Sequence, residues 1–307
     1  MGNRTALLTG AGGFTGRYMD AALRQRGYDV IGLESSGQTP CDLTKAQETV
    51  HAVQAAMPDV VVHLAAVSFV GHGNPEDFYR VNVLGTLNLL EGLARLNRPP
   101  RRVLIASSAN VYGTPPLEVL DETVCPRPVN HYANSKLAME HMVRTWFDRL
   151  PIVITRPFNY TGPGQADHFL IPKIVRHFRQ RTPVIELGNL HVSRDFSDIE
   201  DVVGAYLALL DSDVRSEIVN LCSGRGIALL EVIQTMNHLA GYEIEVRVNP
   251  ELVRANEVPR LVGSNAKLGS LVQMPEPRPF SETLRRMYEA TAPLALGCTP
   301  EDHSCNS

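Results

Sequence analysis

The chain has 307 residues, enough for one large α/β domain, or a domain with a lobe, around a sizeable core. Its 29 basic and 33 acidic residues give a net charge of -4, so no basic face invites nucleic acid, and a negatively charged substrate has to be met by a few local arginines. The five cysteines (Cys41, Cys125, Cys222, Cys298, Cys305) form no CxxC pair, which points away from zinc and from a disulfide framework. With no signal peptide and no apolar run long enough for a bilayer, the expected compartment is the reducing cytoplasm.

Thr5 to Thr9 reads as a buried strand that runs into Gly10-Ala11-Gly12-Gly13-Phe14-Thr15-Gly16. This GxxGxxG spacing meets the demands of a dinucleotide turn: a tight exit from the strand, backbone close to a pyrophosphate, and helix packed on strand. Free amides at the following helix start, Phe14 to Arg26, then face the phosphates. A ligand-free glycine turn satisfies the same letters. A second strand, Val30 to Leu33, ends at Glu34, placed to accept bonds from adenosine ribose hydroxyls and to repel a 2′-phosphate, which leans towards NAD; Ser35 and Ser36 leave NADP open. Asp42 is either a contact to the adenine or part of a turn. Thr44 with Gln47 makes a capping-box signature for a helix to about Met57.

Val60 to Ala66 is apolar throughout, as a strand covered on both faces requires, and small Ala65 and Ala66 would let a cofactor pass its end. His63 inside this run reads as a satisfied core histidine. A long helix is expected from Pro75 to about Asn97, with Asn82 either on its surface or supporting a neighbouring site. Arg102 to Ala106 is a strand ending in Ser107-Ser108, and Ile152 to Thr155 another. Strand and helix alternate throughout, so the expected class is α/β: a Rossmann-type, doubly wound parallel sheet with a small C-terminal α/β lobe. The expected division is 1–158 for cofactor binding, with 196–222 returning to it, then 159–195 and 223–290 for substrate, and a tail over 291–307.

Tyr132 and Lys136 stand one helical turn apart at a helix start and share a face. A nearby ammonium would draw the phenol's pKa from about 10 towards neutrality, so that the tyrosine can exchange a proton with a carbonyl oxygen. Ser108 is placed to donate a second hydrogen bond to that oxygen. YxxxK alone is common by chance; its meaning comes from the glycine loop and the Ser-Ser pair before it.

Together, Gly10-x-x-Gly13-x-x-Gly16, His63-Leu64-Ala65-Ala66, Val81-Asn82-Val83-x-Gly85-Thr86, Ser107-Ser108-x-x-Val111-Tyr112-Gly113, Tyr132-x-x-x-Lys136 and Arg156-Pro157-Phe158-Asn159 resemble the extended short-chain dehydrogenases/reductases. The resemblance runs to about Ala290. It implies that Ser108, Tyr132 and Lys136 are catalytic and that Ser107 is structural. It also implies that Gly10, Gly13, Phe14, Thr15, Gly16, Glu34, Asp42, Leu43, Leu64, Ala65, Ala66, Asn82, Tyr132 and Lys136 hold NAD or NADP. Asn159-x-x-Gly162-Pro163-Gly164-Gln165, Gly188-Asn189-Leu190 with Arg194-Asp195-Phe196, and Glu257-Val258-Pro259 resemble the GDP-sugar branch, in particular the GDP-4-keto-6-deoxy-D-mannose reductases. On that likeness Ser68, Asn110, Asn159, Asn189, Arg194, Arg254 and Glu257 face a GDP-linked keto-deoxy sugar. Ala255 departs from the branch, which has proline after the arginine. Dehydratases of the family carry an acid where this chain has Asn110, and neither Asn110 nor Ala109 takes a proton near neutrality. Reduction at C4 of a GDP-4-keto-6-deoxyhexose is therefore expected; a heptose reductase, a C4 epimerase and a cofactor-sensing regulator are the rivals. The resemblance further implies a homodimer through the Pro75–Asn97 and Tyr132–Leu150 helices.

Overall fold

The computed structural model describes residues 4–34, 40–68, 74–253 and 258–290. Strand and helix alternate from the start: β1 (Arg4–Thr9), α1 (Phe14–Gln25), β2 (Tyr28–Leu33), α2 (Ala46–Ala56), β3 (Val60–His63), α3 (Pro75–Tyr79), α4 (Thr86–Ala94), β4 (Arg102–Ala106), α5 (His131–Arg144) and β5 (Ile152–Pro157). Then follow β6 (Asn159–Thr161), α6 (Leu170–Arg179), β7 (Val184–Leu187), β8 (Ser193–Asp198), α7 (Ile199–Asp211), β9 (Glu217–Leu221), β10 (Gly226–Ala228), α8 (Leu229–Ala240), β11 (Glu245–Val248), β12 (Arg260–Leu261), α9 (Ala266–Leu271) and α10 (Phe280–Glu289).

Six strands form one sheet in the order β2-β1-β3-β4-β5-β9, and every neighbouring pair is parallel. Val60, Val61 and Val62 are all fully buried because helices cover both faces. On one face Leu8, Val62 and Val153 pack with Met19 and Leu23 of α1 and Tyr206 and Leu209 of α7. On the other, Leu7, Val61 and Ile154 pack with Val53 of α2, Leu90 of α4 and Met139 and Val143 of α5. The strand order reverses between β1 and β3, the crevice where ligands of such sheets bind. Both glycine loop and β3 exit open there.

The smaller sheets lie beyond β5. β8 pairs with β6, β10 and β12, and β7 pairs with β11. A separate core of Ile174, Phe178, Ile185, Val232, Met236 and Leu284 holds this part together. Between β8 and β10 the chain returns to the large sheet through α7 and β9. Among the described residues, no helix is long and apolar enough to cross a membrane.

Two expected elements differ. The helix expected over 75–97 is three pieces, because Arg80–Gly85 winds as a π-helix between α3 and α4. The extra residue turns Asn82 inward, and it is fully buried. The Thr44–Gln47 capping box does not form: Thr44 Oγ1 donates instead to Asp42 Oδ1 at 2.7 Å, and α2 begins after Lys45 without a side-chain cap.

Candidate active site

The glycine loop is closed to larger side chains. A Cβ on Gly16 would lie 2.1 Å from the Gly10 carbonyl oxygen, and one on Gly10, whose φ is +72°, would lie 2.8 Å from the amide nitrogen of Ala65. The loop is thus pressed against its own first turn and the β3 exit. α1 starts at Phe14 with no side chain capping its first amides, the arrangement that suits a pyrophosphate. Glu34 folds over the same loop, with Oε2 2.9 Å from where a Gly12 Cβ would be. A carboxylate there suits a ribose diol and opposes a 2′-phosphate. Asp42 shapes a turn: Oδ1 accepts from Thr44 N at 2.9 Å and from Thr44 Oγ1, and these bonds hold its pKa below the usual value. Leu43 is buried, its carbonyl taken by Asn88 Nδ2 at 2.7 Å.

His63 and Asn82 build the β3 exit. Ala65 N–H donates to Thr9 Oγ1 at 3.1 Å, and Thr86 Oγ1 donates to the Asn82 carbonyl at 2.7 Å. With those roles taken, Thr86 Oγ1 accepts from His63 Nε2–H at 2.8 Å and Thr9 Oγ1 donates to Nδ1 at 2.7 Å. One tautomer of a neutral imidazole satisfies every partner. Burial and then the Lys136 charge push its pKa down to about 3, so it is the satisfied core histidine expected. Asn82 Oδ1 accepts from Val67 N at 2.9 Å while Nδ2 donates to the Val67 carbonyl at 3.2 Å and to Ser135 Oγ at 3.0 Å. It pins the segment leading to exposed Ser68 against α5.

Tyr132, Lys136 and Ser108 meet where β4 ends. Asn130 caps α5 by accepting from Ala133 N at 2.8 Å, which sets the helix start. Ser108 lies close enough to the Tyr132 phenol to favour its ionised form, and its Oγ accepts from Asn110 N at 3.2 Å. Lys136 Nζ donates to the Ala106 carbonyl at 2.8 Å. All three side chains are buried. Burial pushes the Tyr132 pKa up to about 12 against the opposing influence of Ser108, so it does not fall towards neutrality as expected from the lysine alone. Desolvation of the phenolate outweighs its neighbours. Lys136 itself is brought down to about 8 by burial, with Glu140 opposing. The phenol is therefore fully protonated near neutrality and the ammonium mostly so.

The residues expected to face a substrate are only partly among the described ones. Exposed Asn159 opens β6, and Asn110 is half-buried beside Ser108. Arg194 Nη1 donates to the carbonyl of Ser193 at 2.9 Å, and Asn189 lies half-buried in the turn after β7. Arg254 and Glu257 lie outside the described residues. Two features escape a reading of the sequence. Thr15 Oγ1 pairs with Tyr160 OH at 2.8 Å, Arg17 donates to Gly164 O at 3.0 Å and Tyr18 OH to Pro163 O at 2.7 Å, so α1 straps down the 159–165 loop. Buried Arg156 and Glu140 pair behind Lys136. Nothing in the spacing links residues 145 apart; for Glu140, its place one turn after Lys136 was the only signal.

The family model "NAD dependent epimerase/dehydratase family" matches residues 6–222. The chain belongs to this family. It is an NAD(P)-dependent oxidoreductase of the extended short-chain group, as the glycine cradle and Glu34 would require. It is 36% identical to GDP-6-deoxy-D-talose 4-dehydrogenase of Aggregatibacter actinomycetemcomitans, over 85% of this chain and 89% of that one. It is 32% identical to GDP-6-deoxy-D-mannose reductase of Pseudomonas aeruginosa, over 85% and 88%. The solved structure of RMD from Pseudomonas aeruginosa complexed with NADPH shares 30% identity and a TM-score of 0.82, covering 93% of this chain and 96% of that one.

Proposed function

We propose that this family member performs redox chemistry at C4 of a nucleotide sugar, and specifically reduces the keto group of a GDP-4-keto-6-deoxyhexose. The observation that carries the reading is a complete Ser108, Tyr132 and Lys136 set beside Asn110, which replaces the acid that dehydration needs. A bound NAD(P)H supplies a hydride to the C4 carbon. The chain's residues do the rest. Ser108 donates a hydrogen bond to the C4 oxygen, and Tyr132 transfers its phenolic proton to that oxygen as the carbonyl becomes an alcohol, later regaining a proton from solvent. A phenol held protonated suits an acid in the reducing direction. Lys136 steadies the phenolate that forms.

Glycines 10, 13 and 16, with Phe14, Thr15, Leu64, Ala65 and Ala66, are assigned to the cofactor, and Asn82 to shaping its pocket. Residues 159–195 and 223–290 are assigned to the substrate, with Asn159, Asn189 and Arg194, joined by Arg254 and Glu257, on diphosphate and ribose. Planar guanidinium groups and acids suit those partners. Ser68 and Asn110 are assigned to the sugar. The homodimer is proposed through α3, the π-helical turn, α4 and α5: Leu84 on that turn is 51% exposed, and light scattering on Leu84→Glu would test the interface as a shift to monomer.

The deciding experiment mixes the protein with NADPH or NADH and the product of a GDP-mannose dehydratase. Cofactor should be consumed, and Tyr132→Phe should lower kcat by about 10²-fold or more. Reading H4 couplings in the product separates D-rhamno from D-talo, which differ in configuration at C4 alone. No consumption with any GDP-keto sugar overturns the reading.

A further inference from the structure

Three consecutive residues at the end of β4 meet three residues spaced by one turn along α5. Ser108 stands beside Tyr132, the Ala106 carbonyl accepts from Lys136 Nζ at 2.8 Å, and between them Ser107 Oγ donates to Glu140 Oε1 at 2.5 Å. Residues at i, i+4 and i+8 lie along one stripe of a helix, so this is one continuous seam. Its third member is an acid that is 2% exposed.

A buried carboxylate is costly unless it is paired and its lone pairs are filled. Here Arg156 of β5 grips it through two nitrogens, Nε to Oε1 at 2.9 Å and Nη2 to Oε2 at 2.6 Å. Arg156 is anchored in turn, donating through Nη1 to Tyr112 OH at 3.0 Å, and Tyr112 OH donates to Asn220 Oδ1 at 2.8 Å. Burial opposes the guanidinium charge, but its bonds to Glu140 more than offset that and raise its pKa. So Glu140 is rigid and unable to turn away. The titratable and charged groups facing Lys136 are Tyr132 and Glu140 on its own helix and His63 on β3, with Arg156 of β5 beyond Glu140. His63 is neutral. Glu140 is then the one anion of this set.

We propose that Glu140, locked by Arg156 and Ser107, is a positioning residue for the reaction: it keeps the buried Lys136 ammonium charged and the β4 exit in register with α5. Ser107 is then part of the working machinery through Glu140. The proposal rests on the Ser108-Tyr132-Lys136 reading of the site. Without the carboxylate, a buried ammonium loses its proton more easily, and support for the Tyr132 phenolate fails as pH rises.

The test compares wild type, Glu140→Gln and the double variant Glu140→Gln/Arg156→Met, which leaves no stranded guanidinium and guards against a single variant that does not fold. The chain has only four lysines, Lys45, Lys136, Lys173 and Lys267, so side-chain NMR can titrate each, with Lys136→Arg assigning the signal. The Lys136 midpoint should fall by about one pH unit or more in Glu140→Gln and by less in the double variant, which also removes the opposing Arg156 charge. The pH profile of keto-sugar reduction should move the same way: about tenfold loss of kcat/KM at pH 8, much less at pH 6, and KM within about twofold. A purely structural pair predicts that the charge-balanced double variant regains the wild-type midpoint and profile; that result, or an unmoved Lys136 in folded Glu140→Gln, overturns the proposal. A wild-type enzyme that reduces no keto sugar speaks instead against the assigned reaction and leaves the lysine titration to decide the role of Glu140.

Discussion

Glu34 illustrates how far a single side chain can be read. A carboxylate at the end of β2 was expected from its distance past the glycines, and the structure lays it over Gly12. Replacing it should relax cofactor choice: Glu34→Ser is expected to lower kcat/KM for NADH and raise it for NADPH, shifting their ratio by about tenfold or more, given the charge removed beside the 2′ position. Unchanged ratios would show that other groups set the preference. His63 makes a prediction of the opposite kind, about stability. Its folded pKa lies near 3, below the ordinary value, so the unfolded state binds the extra proton between those limits. The stability it contributes is intact above about pH 6.5 and is lost as pH falls towards 3. Urea unfolding at pH 7 and pH 5 should therefore show a smaller acid loss in His63→Gln than in the wild type.

At the scale of elements, the glycine-loop helix carries the sharpest constraint. A Cβ at Gly16 would press on the carbonyl oxygens of both Gly10 and Ala11, at 2.1 and 2.6 Å, and these are backbone atoms that cannot swing aside. Gly16→Ala should cost about 1–3 kcal/mol of stability and abolish measurable cofactor binding by fluorescence titration. The loop and its fold were legible because they depend on residues adjacent in the chain. The same is true of the Tyr132–Lys136 pair, although its electrostatics were not: the expected fall of the phenol's pKa ignored how deeply α5 buries it. The helix over 75–97 was legible in its apolar spacing, but not the π-helical turn that points Asn82 inward. Neither the strap from α1 to the 159–165 loop nor the Glu140–Arg156 pair was legible, since each depends on which distant strand comes alongside. Asp42 reads both ways in the sequence, and its bonds to Thr44 show the turn it makes.

Across the whole molecule, the late elements are nailed to the early ones. Asp198, whose side chain is wholly buried, caps α7 by accepting from Glu200 N at 2.8 Å. Its other oxygen takes Thr283 Oγ1 at 2.8 Å and Arg286 Nη1 at 3.3 Å from α10. Asp198→Ala removes the cap and strands these donors, so unfolding free energy should drop by roughly 3 kcal/mol, read from urea melts. Leu268 and Val272, near the C-terminal end, also close the same face of the large sheet as Met19 and Leu23. This return of the chain through β8, α7 and β9 to the first sheet bears on how specificity can be transplanted between relatives. A single crossover after Phe158 would carry off β9 and α7, which belong to the large sheet, along with the smaller sheets, and the hybrid would have a mismatched interior. A workable graft exchanges two separate inserts, on either side of 196–222, and leaves that excursion with its host.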